Sequence, residues 1–455
     1  MQQLMDRQQH ELNKLLLDNI QPYLGCTDIS IIALGTALAA QAAKGSIPQW
    51  VDKQQVNYLF SEVKPEDVIS ITLQMNESLF KNSHATAIPN AGGHYGIHKS
   101  AALGLFTDPG KKLNLFSNLG SDHIEKMEKI TEKAEITVET VNKPACNLFL
   151  YVRVAIRGEK GEITGESRLE NSYTRVVSLK RNNETLYNLN TGKVPDIDDM
   201  KVIFDIPNLM QALEHLPEEV YQKLEETVAL NTGAYEYGLE NAPGLGIGSK
   251  LNNMMLRSII GNGIANEAAS KTAAAEDVRM GGEDVPAMGI AGSGSHGIAA
   301  SIPIIAVAER MGKDRKILLQ SIALSFWLTQ KMNDLIGHLS APCGCVIKSG
   351  TGATAGIAYY MGGTAFQIEQ AINNYIISTA GVICDGGKTT CAIKLASGAT
   401  NAVQSAFLAL EGVNLTNESG GIVREELQKN IENLVLVSKS MQGVDQVIVD
   451  ILKSY

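Results

Sequence analysis

Six cysteines stand at Cys26, Cys146, Cys343, Cys345, Cys384 and Cys391. Four lie in glycine-rich, turn-like settings: Gly25-Cys26-Thr27-Asp28, Pro342-Cys343-Gly344-Cys345 and Cys384-Asp385-Gly386-Gly387-Lys388, with Cys391 close behind. No C-x-x-C pair occurs, so a zinc ribbon or thioredoxin-like motif has no support. Three thiolates drawn from distant segments suit an iron–sulfur cluster in which one iron lacks a protein ligand. Such an iron is a Lewis acid, able to bind a substrate thiol or hydroxyl and ease its departure. Structural clusters more often take four cysteines, so three would point to catalysis. Spacing alone leaves a second reading open, in which all six are buried fillers, as free cysteine often is. Cys146, at a strand edge, reads that way. Cys26 precedes Thr27, an expected helix cap, where the helix dipole would lower a thiol's pKa.

The elements that position these residues fall into three stretches, and the fold class they imply is α+β. Residues 1–55 read as helical: Thr27 opens a helix through Ile31, Ile32, Leu34 and Leu38 that stops at Gly45. Over 56–205 the period shifts to two. Ile69, Ile71, Leu73 and Met75 alternate with Ser70, Thr72 and Gln74, and further strands are predicted at 136–141, 148–157, 162–169 and 175–180. Turn signals fall at 158–161 and at Asn182 and Asn183. From 206 to 455 the pattern is helical again, with one helix opening at Thr364 and carrying Gln367 three residues on. The expected architecture is a mostly helical catalytic domain, formed by the N-terminal helices docking on the C-terminal half, with a β-rich α+β domain inserted between them.

Composition limits the partners. The 455 residues carry 39 Lys and Arg against 49 Asp and Glu, a net charge of −10 with pI near 5.4, which argues against phosphate-backbone binding. The N-terminus lacks the continuous apolar core of a signal peptide. The most apolar stretch, 286–308, is broken by Ser293, Ser295, His296 and Pro303, so a buried helix is expected rather than a membrane span. No nucleic acid, no membrane and a cytoplasmic setting are the expectations; a homodimer is compatible with the chain.

Taken in order, the motifs resemble the L-cysteine desulfidases, a family related to the alpha part of iron–sulfur L-serine dehydratases. They are Gly25-Cys26-Thr27-Asp28; Lys81-Asn82 followed by Pro89; Asp277-Val278-Arg279-Met280-Gly281-Gly282; Gly292-Ser293-Gly294; Gly337-His338-Leu339-Ser340-Ala341-Pro342-Cys343-Gly344; and Cys384-Asp385-Gly386-Gly387-Lys388-Thr389-Thr390-Cys391-Ala392. The resemblance spans nearly the whole chain. It implies a lyase that releases sulfide from L-cysteine through a [4Fe–4S] cluster, yielding pyruvate and ammonia. The matched motifs put the ligands at Cys26, Cys343 and Cys384, with Cys391 the alternative third and Cys345 a neighbour.

The same resemblance gives Lys81 a place at the site, neutralising a carboxylate or taking the Cα proton, and Asn82 a substrate-orienting role. It makes the Gly292–Gly297 loop, with Ser293 and Gly294, an anion site for the substrate carboxylate rather than a plain tight turn. Arg279 has two readings, a substrate ligand or an ion pair with Asp277 that braces the loop. Ser340 either faces a cluster sulfide or caps a turn, and Asp385 with Lys388 forms a local pair. Two positions depart from the family pattern: Ser295-His296 where many relatives have Asn-Gln, and Tyr173-Thr174-Arg175 where many have His-Thr-Asn. These bear on the choice of amino acid more than on the cluster. The rivals are L-serine dehydratase chemistry, a pyridoxal-phosphate lyase using Lys394 or Lys271, and a non-catalytic iron–sulfur redox sensor.

Overall fold

The computed structural model describes residues 2–55, 58–143, 146–189, 204–419 and 421–454, so the expected start of the β-rich region at residue 56 lies outside the described residues. The fold is α+β. Helix α1 (Gln2–Asn19) leads through a short strand, β1 (Gln21–Tyr23), into α2 (Thr27–Ala43). The alternation at 69–75 becomes β2 (Val68–Met75). It joins β3 (Glu135–Thr140), β4 (Phe149–Gly158), β5 (Gly161–Glu170), β6 (Val176–Arg181) and β7 (Glu184–Asn188) in one sheet of order β3-β2-β4-β5-β6-β7. Strands β2 and β3 are parallel, and their crossover carries α3 (Glu77–Ser83), α4 (Ile97–Gly104) and α5 (Ser121–Lys133); the other pairings are antiparallel. Both predicted turns are two-residue hairpins. At the second, Asn182 and Asn183 have φ of 48° and 69°, the left-handed pair a type I′ turn requires.

Beyond residue 204 the chain is helical. Its elements are α6 (Ile206–Leu213), α7 (Glu218–Asn241), α8 (Ile247–Leu256) and α9 (Ile264–Gly281), then strand β8 (Ala287–Gly289). There follow α10 (Gly294–Met311), α11 (Arg315–Ile336), α12 (Gly350–Tyr360), α13 (Ala365–Thr379), α14 (Cys391–Leu410), α15 (Leu427–Ser440) and α16 (Gln442–Lys453). Thr364 and Gln367 form the expected capping box at the start of α13. No helix of the described residues is long and apolar enough to cross a membrane.

The N-terminal helices part company. Leu12, Leu15 and Leu16 of α1 join the core of the helical half, whereas α2 packs into the core of the sheet. Every residue of α2 is buried. A helix apolar all round has no outer face to show which neighbour it will take, and α2 lies against β4 and β5 because small residues let it approach. Gly35 faces Leu150 and Val152, while a Cβ on Gly165 of β5 would fall inside contact with the Ala39 carbonyl and the Ala43 amide of α2. Gly165→Ala is therefore expected to destabilise the protein by about 1–3 kcal/mol through overpacking, read as a lower urea midpoint. An unchanged midpoint would mean that this close approach is not needed.

Candidate active site at the seam of two cores

Two short strand pairings bring the cysteine segments to the seam. Strand β1 pairs antiparallel with β8, setting Tyr23 opposite Ala287, so the Cys26 turn runs beside the segment that enters the Gly292 loop. Buried Asn231 of α7 fixes β8, accepting the Met288 N–H at 2.8 Å and donating to Ser301 Oγ at 2.8 Å. On the far side, Pro342 and Ile383 form a β-bridge, with Cys343 N–H donating to Val382 and Cys384 N–H to Ala341. Cys343 belongs to the helical core and Cys26 to the sheet core.

Asp28 is the hub. Its buried carboxylate accepts from Tyr173 Oη at 2.7 Å, Asn82 Nδ2 at 3.2 Å and Cys26 Sγ at 3.6 Å. Asn82 Oδ1 in turn accepts from Cys384 Sγ at 3.6 Å. One asparagine thus spans the Cys26 and Cys384 segments. The Cys384 loop is stitched to the end of α3, Gly387 N–H donating to Asn82 O and Thr86 Oγ1 to Gly387 O. Gly387 must lack a side chain here, since a Cβ would lie 2.6 Å from Asn82 O and 3.6 Å from Cys26 Sγ. Asp385 pairs with Lys388, as expected, and also with Lys394. Tyr173, one of the departures noted in the sequence, reaches the site and sets its ring edge-on to His338, 5.6 Å between centroids. Tyr173→Phe would leave a buried Asp28 oxygen without that donor, and a loss of about 1–3 kcal/mol is expected in denaturant unfolding; an unaltered stability would count against the hub.

A second network flanks the thiols. Ser295 Oγ donates to Glu276 Oε1 at 2.8 Å and accepts from Arg279 Nε at 2.9 Å. All three side chains are buried, yet Arg279 Nη1 and Nη2 and Glu276 Oε2 lack partners. Orphaned buried polar atoms are uncommon, and a cluster of them calls for an explanation. The guanidinium lies across the start of α10, 2.5 Å from an ideal Cβ on Gly294. Burial pushes the Glu276 carboxyl up to about 7, against the pull of Arg279 and Ser295.

Several expectations need correction. Cys26, not Thr27, is the N-cap of α2. Burial and the neighbouring Asp28 raise its thiol pKa, so the expected lowering is not found. Lys81 sits within the short helix α3 rather than at a strand end, and its ammonium is taken up by Asp445 at 2.6 Å, which also accepts from Ser78. That ion pair removes Lys81 from the role of free base. Arg279 does not pair with Asp277, whose carboxylate accepts the Gly248 N–H at the start of α8. Of the two readings of Ser340, the hydrogen bond to the Pro342 carbonyl at 2.8 Å matches the turn cap rather than the substrate or cluster contact. Ser293 caps α10, taking the His296 N–H at 3.4 Å. Cys345 donates to Cys343, lowering that thiol's pKa, while Cys391 Sγ turns to the Gly386 carbonyl at 3.4 Å. Lys271 pairs with Glu309.

Glu276 and Lys348 escaped the sequence reading. Glu276 lies one residue before the Asp277–Gly282 motif. Only the repeated small residues of α9, which let α7, α10 and α14 close in, hinted that its face is deeply buried.

The serine dehydratase alpha chain family matches residues 111–450. A UPF0597 protein of Desulfatibacillum aliphaticivorans is 32% identical over 452 residues, covering 96% of this chain and 97% of that protein. Another, from Desulfotalea psychrophila, is 32% identical over 442 residues, 95% of each chain; one from Clostridium perfringens is 30% identical over 441, 96% of this chain and 97% of its own. The chain belongs to the serine dehydratase alpha chain family.

Among the described residues no three His, Cys, Asp or Glu side chains gather closely enough to hold a single metal ion. A cluster of four irons and four sulfides meets its ligands across a wider span, and the donor set suits it: soft thiols on three segments, next to orphaned polar atoms.

Proposed function

We propose that the protein is an iron–sulfur-dependent lyase that eliminates sulfide from L-cysteine, giving pyruvate, ammonia and hydrogen sulfide. The observation that carries this reading is the meeting of Cys26, Cys343 and Cys384 at one seam beside the half-bonded Arg279. Those three thiols would hold a [4Fe–4S] cluster. When bound, the cluster supplies an iron without a protein ligand, a Lewis acid for the substrate's thiol.

The chain's own residues do the rest. Arg279 offers Nη1 and Nη2, a bidentate match for the substrate carboxylate. The N-terminus of α10 lies alongside and favours the same charge. Glu276, with Oε2 unpartnered and a pKa near neutrality, is suited to take the Cα proton. Ser295 bonds both and fixes acid and guanidinium relative to each other. As the proton moves to Glu276, its electron pair forms the Cα–Cβ double bond and sulfide leaves. The resulting aminoacrylate tautomerises to an imine, which water hydrolyses to pyruvate and ammonia.

The same site would serve a hydroxyl leaving group, and membership of the serine dehydratase alpha chain family favours L-serine as the second reading. Protein handled without oxygen separates the two. Sulfide release from L-cysteine is expected at a kcat/KM at least about tenfold above pyruvate release from L-serine. The reverse ratio assigns serine. No product from either would bring forward the non-catalytic iron–sulfur sensor.

A further inference from the structure

Lys348 is fully buried, the fourth residue of a π-helical turn, Cys345–Ser349, that begins two residues after Cys343. Such turns are rare and collect at functional sites. Its ammonium donates to Asn333 Oδ1 at 3.1 Å, to the His338 carbonyl at 3.2 Å and to the Gly337 carbonyl, all of them neutral. None of the ion pairs among the described residues includes it. A buried ammonium without a counter-charge is costly, and three neutral dipoles offset only part of that cost. The groups whose negative charge would reach it are Cys345, Cys384, Cys343 and Asp28. An ideal Cβ on Gly344, between the two cysteines, would lie 3.3 Å from Nζ, so the ammonium rests against this very turn.

We propose that Lys348 is a positioning residue that acts as the counter-ion of the thiol set, its fixed charge offsetting the negative charge that a cysteine-held iron–sulfur cluster brings to the seam. The inference rests on the iron–sulfur reading above. It gives the lysine a task apart from proton transfer: making the cluster easier to hold and easier to reduce. A neutral side chain of similar length would fill the same space and provide neither.

The test compares full-length wild type, Lys348→Met and Lys348→Arg, all purified without oxygen, by iron per chain and by redox titration followed by electron paramagnetic resonance. In Lys348→Met the one-electron equilibrium is expected to shift at least tenfold towards the oxidised cluster, a midpoint about 59 mV more negative. Lys348→Arg keeps the charge and is expected to stay near wild type. If Lys348→Met fails to fold, Lys348→Gln takes its place, neutral but still able to bond the carbonyls. Loss of iron in the folded neutral variant with retention in Lys348→Arg also supports the role. An unmoved midpoint in the neutral variant overturns it, as does equal displacement or equal iron loss in both variants, which would mean that shape rather than charge matters. A wild-type chain without iron overturns the iron–sulfur reading as well; a wild-type cluster with an unmoved variant midpoint overturns the counter-ion alone.

Discussion

Cys343→Ser protein is expected to lose turnover by about a thousandfold or more while remaining folded. A Lewis-acidic metal contributes several kcal/mol to stabilising a departing group, and about 1.4 kcal/mol corresponds to tenfold in rate. A serine hydroxyl is a far poorer thiolate substitute, so iron content should fall with activity. Cys26→Ser and Cys384→Ser should behave alike, because the Asn82–Asp28 bridge joins their two segments and the Pro342–Ile383 bridge ties the Cys343 segment to that of Cys384. Cys391→Ser is expected to keep its iron, since that thiol is directed at the Gly386 carbonyl. Sulfide and pyruvate release, iron per chain and thermal unfolding together decide the matter. Full activity in folded Cys343→Ser protein would remove the basis of the proposed chemistry.

Glu276→Gln should lower kcat by about 10²–10⁴-fold, the usual contribution of a positioned general base, and leave iron content unchanged. The amide preserves the volume and can still accept from Ser295, so the expected loss is one of proton transfer. The pH profile gives a second readout. With the carboxyl pushed up to about 7 by burial, the base form fills as pH rises, and wild-type kcat/KM should climb between about pH 6 and 8. The variant should lack that limb. Stability runs the other way. The folded protein holds this proton more tightly than the unfolded chain, so the contribution is present at low pH and is lost as pH rises through about 7. The variant should gain relative to wild type between pH 5 and 8. A variant that retains the wild-type rate and the same pH limb would assign the base elsewhere.

The local devices of the fold were legible because they are written in a few neighbouring residues. The alternation Ile69 to Met75, the Asn182 and Asn183 turn and the Thr364–Gln367 box each carry their own physical reason, and each stands where it was read. Strand β7 was missed because Glu184–Asn188 is an edge strand with no buried residue to set a period. Helix α3 is only seven residues long, too short for a helical period, so Lys81 was read as a strand end. The packing of α2 on the sheet was hidden by its uniform burial.

The candidate site divides in the same way. The cysteine, glycine and proline motifs stood out because each marks a turn or close approach; Pro89, for example, lies directly over Gly25. The pairings that assign tasks are long-range. Asp445 is 364 positions from Lys81, Cys384 is 302 from Asn82 and Tyr173 is 145 from Asp28. Nothing in the spacing of a single chain announces such partners.

The most direct test of the central claim is the iron and acid-labile sulfide content of protein purified without oxygen. The account predicts about four of each per chain, the composition of a [4Fe–4S] cluster, lost on replacing Cys26, Cys343 or Cys384 and kept with Cys146 replaced. Absence of iron even after anaerobic reconstitution would contradict it.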